Sequence, residues 1–256
     1  MKSLNWYFSK CWLWSNSLLH SDKEDLLLVS FPKTGSTWIR YFLYSLLTQK
    51  IENAKQNIDA MNEAMPEFAN ASFFNPWRFN ECPRIVKTHQ KYILPFQLNR
   101  SVLIVRDPRD IVISYYYYLI GLKVGNFQGS VSEILRNRQF GAEAFFKHFC
   151  SWQDHVGLTI RYEDLKDEPY DGFSKLIQFF GIKRSEQEIC SAIEDAKFSS
   201  MLKAQDKSSK LKTEFRKGHH FVRSGKKEQW RDLFSSQDIE YYEALKVKYS
   251  FDLYES

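Results

Sequence analysis

A loop rich in hydroxyl groups interrupts the sequence near its N-terminal end. It reads Phe31-Pro32-Lys33-Thr34-Gly35-Ser36-Thr37-Trp38 and joins an apolar stretch to a segment with helical spacing. Backbone N–H groups, hydroxyls and one ammonium converge there at the start of a helix, which favours binding of a phosphate or sulfate group. The lysine precedes the only glycine, whereas the usual triphosphate loop places its lysine after a second glycine. The loop therefore predicts an anion site and argues against a kinase or GTPase.

Three further polar signatures follow apolar stretches later in the chain. Lys87-Thr88-His89 ends in a histidine, which titrates near neutrality and suits a general base. Arg106 begins Arg106-Asp107-Pro108, and Ser114 follows about two helical turns later. A guanidinium can hold a phosphate at two points, and this serine can point toward the same group. The last signature is Arg161-Tyr162-Glu163-Asp164.

The elements that must position these residues alternate along the chain. Apolar runs predict strands at 26–31, 84–87, 101–105 and 158–161. Helical spacing predicts helices at 37–47, with Ser36 or Thr37 as N-cap, at 110–119, and after Tyr162-Glu163-Asp164. This order indicates an α/β fold: a central parallel sheet flanked by helices, with ligands at the carboxyl ends of the strands.

Length and the remaining segments complete this picture. A chain of 256 residues is expected to form a single domain over 1–256. The aromatic segment within 1–25 is interpreted as packed on the domain, with a membrane-surface or partner-binding helix as the alternative. Residues 49–82 and 120–157 are expected to shape an acceptor pocket. The segment 197–230 is interpreted as a long basic loop.

Composition limits the partners and the compartment. The net charge of +5 is spread along the chain, so nucleic acid is not expected to bind. The apolar N-terminal run is too interrupted to span a bilayer. The four cysteines, Cys11, Cys82, Cys150 and Cys190, lie far apart without metal-site spacing, which favours reduced thiols in a cytoplasm.

The motifs, in this order, resemble those of the cytosolic-type sulfotransferases, which use 3′-phosphoadenosine 5′-phosphosulfate (PAPS). Residues 31–38 look like the 5′-phosphosulfate loop of that family, 104–116 like its 3′-phosphate motif, and Lys87-Thr88-His89 like its Lys-Thr-His segment. Residues 221–225 resemble the segment that closes over the 3′-phosphate, but Ser224 stands where the family usually has lysine. The resemblance covers roughly 26–235.

The resemblance implies a P-loop-like strand-loop-helix that binds PAPS as donor and releases PAP, without a metal. His89 would take the acceptor proton, Lys87 would stabilise the transferring group, and Lys33 would neutralise the leaving phosphate. Trp38 and Phe198 would stack on the adenine, and Tyr162 would reach its edge. The implied nucleotide-binding set is Lys33, Thr34, Gly35, Ser36, Thr37, Trp38, Arg106, Ser114, Tyr162, Phe198, Arg223, Ser224 and Gly225.

Several questions stay open at this level. The missing lysine charge could come from Lys226, Lys227 or Arg216-Lys217, and Arg109 could be only a solvated charge. The alternatives are a carbohydrate sulfotransferase with Glu163 or Glu143 as base, a non-catalytic adenosine-phosphate-binding protein, and a phosphotransferase. The acceptor is expected to be a small molecule with a hydroxyl or amine, and the oligomeric state is left open. The side chains that could line the acceptor pocket, or belong instead to the core or surface, are Phe73, Phe74, Trp77, Tyr116, Tyr118, Phe145, Glu63, Glu67, Glu81 and Glu143.

Overall fold

A sheet of four parallel strands forms the centre of the protein, in the order β2-β1-β3-β4. The computed structural model describes residues 4–124 and 127–254. Three short stretches lie outside the described residues: 1–3 in the predicted N-terminal segment, 125–126 within 120–157, and 255–256 at the end of the predicted domain. The strands are β1 (Leu26–Ser30), β2 (Ile85–Thr88), β3 (Arg100–Val105) and β4 (Leu158–Arg161). Each lies within one residue of its predicted bounds.

The strand register brings the polar signatures together. Val29 of β1 lies opposite Thr88 of β2, and Val105 of β3 lies opposite Arg161 of β4. Because all four strands run in the same direction, the residues that follow them emerge at one edge of the sheet. The predicted α/β fold with a central parallel sheet is confirmed.

Helices cover both faces of the sheet because successive strand residues point to opposite sides. Leu26 and Leu28 belong to one buried apolar cluster, and Leu27 and Val29 to the other. The first cluster includes side chains from α2, α3 and α7 to α10, and the second from α4, α5, α6 and α12. The helices are α1 (Leu4–Leu19), α2 (Ser36–Thr48), α3 (Ile58–Ala64), α4 (Pro108–Gly121), α5 (Val131–Leu135), α6 (Ala142–Trp152), α7 (Tyr162–Asp167), α8 (Pro169–Phe179), α9 (Glu186–Asp195), α10 (Phe198–Asp206), α11 (Ser209–Glu214) and α12 (Ser236–Lys248).

Two predictions about local structure are wrong. Neither Ser36 nor Thr37 caps α2, because the helix already begins at Ser36 and Gly35 occupies the N-cap position. The segment 197–230 is not one long loop, since it contains α10, α11 and a 3₁₀-helix at Gln229–Asp232. Only Met201 and Ala204 mark the apolar side of α10, so the sparse pattern hid a helix that packing stabilises.

The N-terminal helix α1 is partly packed on the domain. Trp14 and Leu18 contact the second apolar cluster, and Ser17 Oγ accepts a hydrogen bond from the Ala69 N–H. Phe8 and Trp12 on the same helix are exposed. Among residues 4–124 and 127–254, no helix has the length and apolar character required to cross a membrane.

Candidate active site

A cavity of about 560 Å³ opens where the four strands end. It is lined by residues from the β1–α2 loop, from the ends of β2, β3 and β4, from α4 and from 221–229. The structure brings together all but one of the predicted catalytic and nucleotide-binding residues: Lys33, Gly35, Ser36, Thr37, Trp38, Lys87, His89, Arg106, Ser114, Tyr162, Phe198, Arg223, Ser224 and Gly225. The exception is Thr34. It is fully buried, and its hydroxyl donates to the Phe31 carbonyl 2.8 Å away, so it braces the loop from inside.

The β1–α2 loop is a tight turn that exposes the start of a helix to the cavity. Lys33 and Gly35 both have left-handed backbone, with φ of 74° and 97°. A Cβ on Gly35 would lie 2.6 Å from Tyr162 Cδ2, so glycine is required for both its conformation and its close approach. No side chain of the described residues caps α2, which leaves the N–H groups of its first turn available for an anion.

His89 is held in one tautomer by the end of β1. Its Nδ1 lies 2.6 Å from the Ser30 carbonyl oxygen and 3.2 Å from Ser30 Oγ. A carbonyl oxygen can only accept, so Nδ1 carries the proton and Nε2 keeps its lone pair. Burial, together with the positive charge of Lys87, lowers the pKa of His89 to about 3. The imidazole is therefore neutral at physiological pH, and the lowered pKa also makes it a weaker base than an exposed histidine.

The pKa values of two lysines beside His89 are lowered. Burial and the neighbouring Arg106, Lys87 and Arg223 lower the pKa of Lys33 to about 7. Burial also lowers the pKa of Lys87 to about 8, against the opposing effect of Glu67. Lys33 Nζ lies 4.3 Å from the centre of the Tyr118 ring and 4.7 Å from that of Phe221. We call Lys33, Lys87 and His89 the transfer end of the cavity.

Arg106 marks a second end of the cavity, directly after β3, and this end adjoins the transfer end because Arg106 Nη1 donates to the Lys33 carbonyl at 3.4 Å. Its Nη2 donates to the Lys226 carbonyl at 3.1 Å and lies 3.7 Å from an oxygen of Asp110. Its guanidinium also lies over the Tyr162 ring, 4.5 Å from the ring centre. Its buried Nε has no partner within the described residues, so this guanidinium can still bind another acceptor. Ser114 lines the same cavity from α4, as its spacing from Arg106 predicted.

The segment 221–229 closes this second end. Arg223 Nη2 donates to Gln229 Oε1 at 2.6 Å, and Ser224 Oγ donates to the same oxygen at 3.2 Å. Asp110 on α4 accepts hydrogen bonds from the backbone N–H groups of Glu228 and Gln229 at 2.8 and 2.9 Å. The segment is therefore tied to α4 mainly by side-chain contacts. We call Arg106, Arg223, Ser224 and Gly225 the phosphate clamp.

Three aromatic side chains lie beside the phosphate clamp. The Trp38 ring packs edge-on against Tyr162 at 5.6 Å, and the Tyr162 hydroxyl lies 3.5 Å from the Gly225 carbonyl oxygen. Phe198 lines the cavity from the first turn of α10 and is 42% exposed. These rings offer flat surfaces to a planar ligand beside the clamp.

The sequence analysis did not single out Lys166 or Gln229 as ligand-binding residues, although both line the cavity. Lys166 follows Tyr162 by one helical turn of α7, and its ammonium hydrogen-bonds to the Gly225 carbonyl. Its i,i+4 relation to Tyr162 was a usable signal, because it places both side chains on one face of a helix. The lysines suggested as replacements are used differently: Lys227 binds Asp167, and Lys226 offers its carbonyl to Arg106.

Most of the side chains suggested for the acceptor pocket lie elsewhere. Of that set only Tyr118 lines the cavity; Phe73 and Phe145 are core residues. Glu81 pairs with Arg184 instead, and Glu143 binds Lys248 and Tyr249. Regions 49–82 and 120–157 therefore contribute no residue to the cavity lining in their described parts.

Arg109 is not a solvated charge. It is buried, donates to both oxygens of Asp107, and lies over the Trp230 ring with 4.0 Å to the ring centre. Its role is to join the start of α4 to the 3₁₀-helix Gln229–Asp232, away from the cavity.

Comparison with known proteins agrees with this geometry. The family model described as "Sulfotransferase domain" matches residues 23–247. The chain is 26% identical to dog sulfotransferase 1B1 over 206 residues (73% of this chain, 70% of the relative). It is 26% identical to mouse sulfotransferase 1 family member D1 over 269 aligned positions (96% and 89%). Its fold resembles that of retinol dehydratase solved with androsterone and the inactive cofactor PAP, with a TM-score of 0.74, 17% identity and coverage of 98% and 87%. The chain therefore belongs to the family of PAPS-dependent sulfotransferases, enzymes that transfer sulfate to small-molecule acceptors.

Proposed function

We propose that this protein transfers the sulfuryl group of PAPS to a hydroxyl or amine of a small molecule, with His89 as general base. The observation that carries the proposal is the charge of the cavity. Among the described residues, its lining contains a neutral histidine and no carboxylate. Six cationic side chains line it: Lys33, Lys87, Lys166, Lys197, Arg106 and Arg223. Three of these already pair with carboxylates outside the lining, and a ligand with several negative charges would balance the remaining positive charge.

The two ends of the cavity suit the two ends of an adenosine phosphosulfate. The phosphate clamp offers guanidinium groups and the Ser224 hydroxyl, and Arg106 Nε is still without a partner within the described residues. The transfer end offers Lys33 and the N–H groups at the start of α2. The aromatic rings beside the phosphate clamp support placing the adenine next to these rings. PAPS, when bound, supplies an activated sulfuryl group whose bond to phosphate breaks during transfer.

The residues of the transfer end would then handle the proton and the charge. His89 Nε2 accepts the acceptor's proton as the acceptor oxygen or nitrogen forms its bond to sulfur. Lys33 places its ammonium where the departing phosphate oxygen gains the electron pair of the broken bond. Lys87 stabilises the charge on the transferring oxygens. A bound anion raises the pKa of both lysines and so restores their protonated forms.

A carboxylate base, expected for the carbohydrate alternative, has less support. Glu163 accepts hydrogen bonds from the Asp107 N–H and the Tyr254 hydroxyl, and neither Glu163 nor Glu143 lines the cavity. Replacing His89 with alanine should lower kcat by about 10²- to 10⁴-fold across pH 6–9. Stopped assays of sulfated product at each pH provide the measurement. A loss of only a few-fold over that range would show that another group takes the proton.

The overall reaction can be tested with a panel of phenols, alcohols and amines. The purified protein is incubated with PAPS and each acceptor, and mass spectrometry detects the added sulfonate. PAP binding is measured separately by calorimetry. Tight PAP binding without turnover on any acceptor would favour the non-catalytic alternative, and magnesium-dependent ATP hydrolysis would favour a phosphotransferase.

Two further expectations belong to this proposal. The cationic lining supplies the positive charge that transfer requires, so we propose a reaction without metal, in which treatment with a chelator leaves the rate unchanged. The four cysteines are free, which supports a reducing compartment such as the cytoplasm. Cell fractionation followed by immunodetection would check the location.

A further inference from the structure

Glu67 is a carboxylate beside the transfer end that the reaction described above does not use. Its Oε2 lies 3.2 Å from Lys87 Nζ, and this side chain of Lys87 is only 11% exposed. Glu67 does not line the cavity, so it faces Lys87 from behind. Lys87 lines the cavity and would also face a bound ligand, so packing alone does not explain why its ammonium pairs with Glu67.

The backbone holds Glu67 in this position. The Lys87 N–H donates to the Pro66 carbonyl at 3.0 Å, and the Phe68 N–H donates to the Lys87 carbonyl at 2.8 Å. These bonds make a parallel bridge between Glu67 and Lys87 on the outer edge of β2. Paired residues of a parallel bridge direct their side chains to the same face, which places the carboxylate beside the ammonium independently of their attraction.

The charges around Lys87 explain why a carboxylate is needed there. Apart from Glu67, the charged or titratable neighbours of Lys87 within the described residues are Arg40, Lys33 and His89, and none of these is negative. Arg40 itself is buried and is anchored by the Met65 carbonyl and by Asn62. Without Glu67, Lys87 would be a buried cation facing other cations, and it would release its proton more readily.

We propose that Glu67 is a positioning residue that keeps Lys87 protonated and directed at the transferring group; this role rests on the proposed function. Lys87 supplies positive charge to the cavity, and Glu67 fixes that charge from the opposite side. Because it also lies near His89, the carboxylate offsets part of the effect of Lys87 on the histidine.

Glu67→Gln separates this role from a structural one through its pH dependence. Removing an opposite charge at this distance shifts a lysine pKa downward by about one unit or more. With the pKa of Lys87 at about 8 in the free wild type, kcat/KM for PAPS, which reports the free protein, should fall roughly threefold in the variant at pH 7.5 and approach tenfold at pH 9. At pH 6 the two proteins should be nearly equal, since Lys87 is charged in both. Glu63→Gln, a nearby exposed carboxylate, is the matched control and should match the wild type throughout.

A second measurement follows Lys87 without requiring turnover. Lysines are reductively methylated with ¹³C, and the Lys87 resonance is assigned by its loss in Lys87→Met. Its titration midpoint should fall by about one pH unit in Glu67→Gln and stay unchanged in Glu63→Gln. If the protein sulfated no acceptor, the proposed function would fail while this titration still tested the ion pair.

Two outcomes would overturn the proposal. One is a ratio of kcat/KM for PAPS between wild type and Glu67→Gln that does not change with pH, and the other is an unchanged Lys87 titration. In a Lys87→Met background, Glu67→Gln should have no further effect on kcat/KM. Should Glu67→Gln not fold, Glu67→Asp carries the test. Its shorter side chain lengthens the contact, and a smaller downward shift of the Lys87 midpoint is expected; no shift would contradict the role.

Discussion

The transfer end and the phosphate clamp are built in different ways. Lys33 and His89 lie within three residues of the end of β1 or β2, and His89 is oriented by the Ser30 backbone. Three of the four clamp residues come instead from 221–225, a segment anchored by side-chain contacts to Gln229 and by Asp110. Groups positioned by adjacent strands keep a fixed geometry, whereas a segment held by side chains can be altered by single substitutions. On the proposed function, we expect the rate of transfer to depend on the transfer end and the affinity for the donor to depend on the clamp.

After the His89 variant described above, replacing Lys33 with alanine should give the largest loss of kcat. Losing one preorganised positive group at the leaving phosphate lowers kcat by about 10²- to 10³-fold. The Kd for PAP should rise only a few-fold, because the clamp is intact. Initial rates and calorimetry measure the two effects, with the exposed Lys50→Ala as control. Retention of most of the rate would remove Lys33 from the mechanism.

Substitution of Arg106 by lysine should have the opposite signature. Lysine keeps the charge but loses the planar fork and the contact over Tyr162, so the Kd for PAP should rise about 10- to 100-fold. The value of kcat at saturating PAPS should change less than about fivefold. Arg138→Lys, an exposed arginine, serves as the control. An equal loss in kcat would mean that the two ends do not act separately.

PAP binding should weaken as pH rises from about 7 to 9. In the free protein, Lys33 has a pKa of about 7 and Lys87 of about 8, and a bound anion raises both. Binding above pH 7 therefore takes up protons, and affinity falls by at most about tenfold per pH unit for each group. Calorimetry in two buffers of different ionisation enthalpy measures this uptake. If the affinity for PAP did not change over the whole pH range, neither lysine would have a lowered pKa.

The smallest effect is expected at Lys166, whose ammonium contacts Gly225, the residue after Ser224. Lys166→Gln should raise the Kd for PAP about three- to tenfold, because one cation near the clamp is lost. Ser224→Lys should restore binding in that variant. If Lys166→Gln bound PAP like the wild type, its ammonium would serve only to hold the Gly225 carbonyl.

The sequence was sufficient to locate the strands and to predict which polar residues follow them. Apolar runs followed by Lys33, His89, Arg106 and Tyr162 predicted the parallel sheet and placed these residues at one edge of it. Both signals are local: a buried strand needs a continuous apolar run, and a residue that follows a parallel strand must emerge at its carboxyl end.

Contacts between residues distant in sequence were decided only by the tertiary structure. The bridge between Glu67 and Lys87 depends on which segment lies on the edge of β2, and no local pattern specifies that. Likewise, Phe73 and Phe145 have the residue type expected in either a pocket or a core, and the way the helices pack placed them in the core. Residue type determines which chemistry is possible, whereas the close approach of separate elements determines which residues share it.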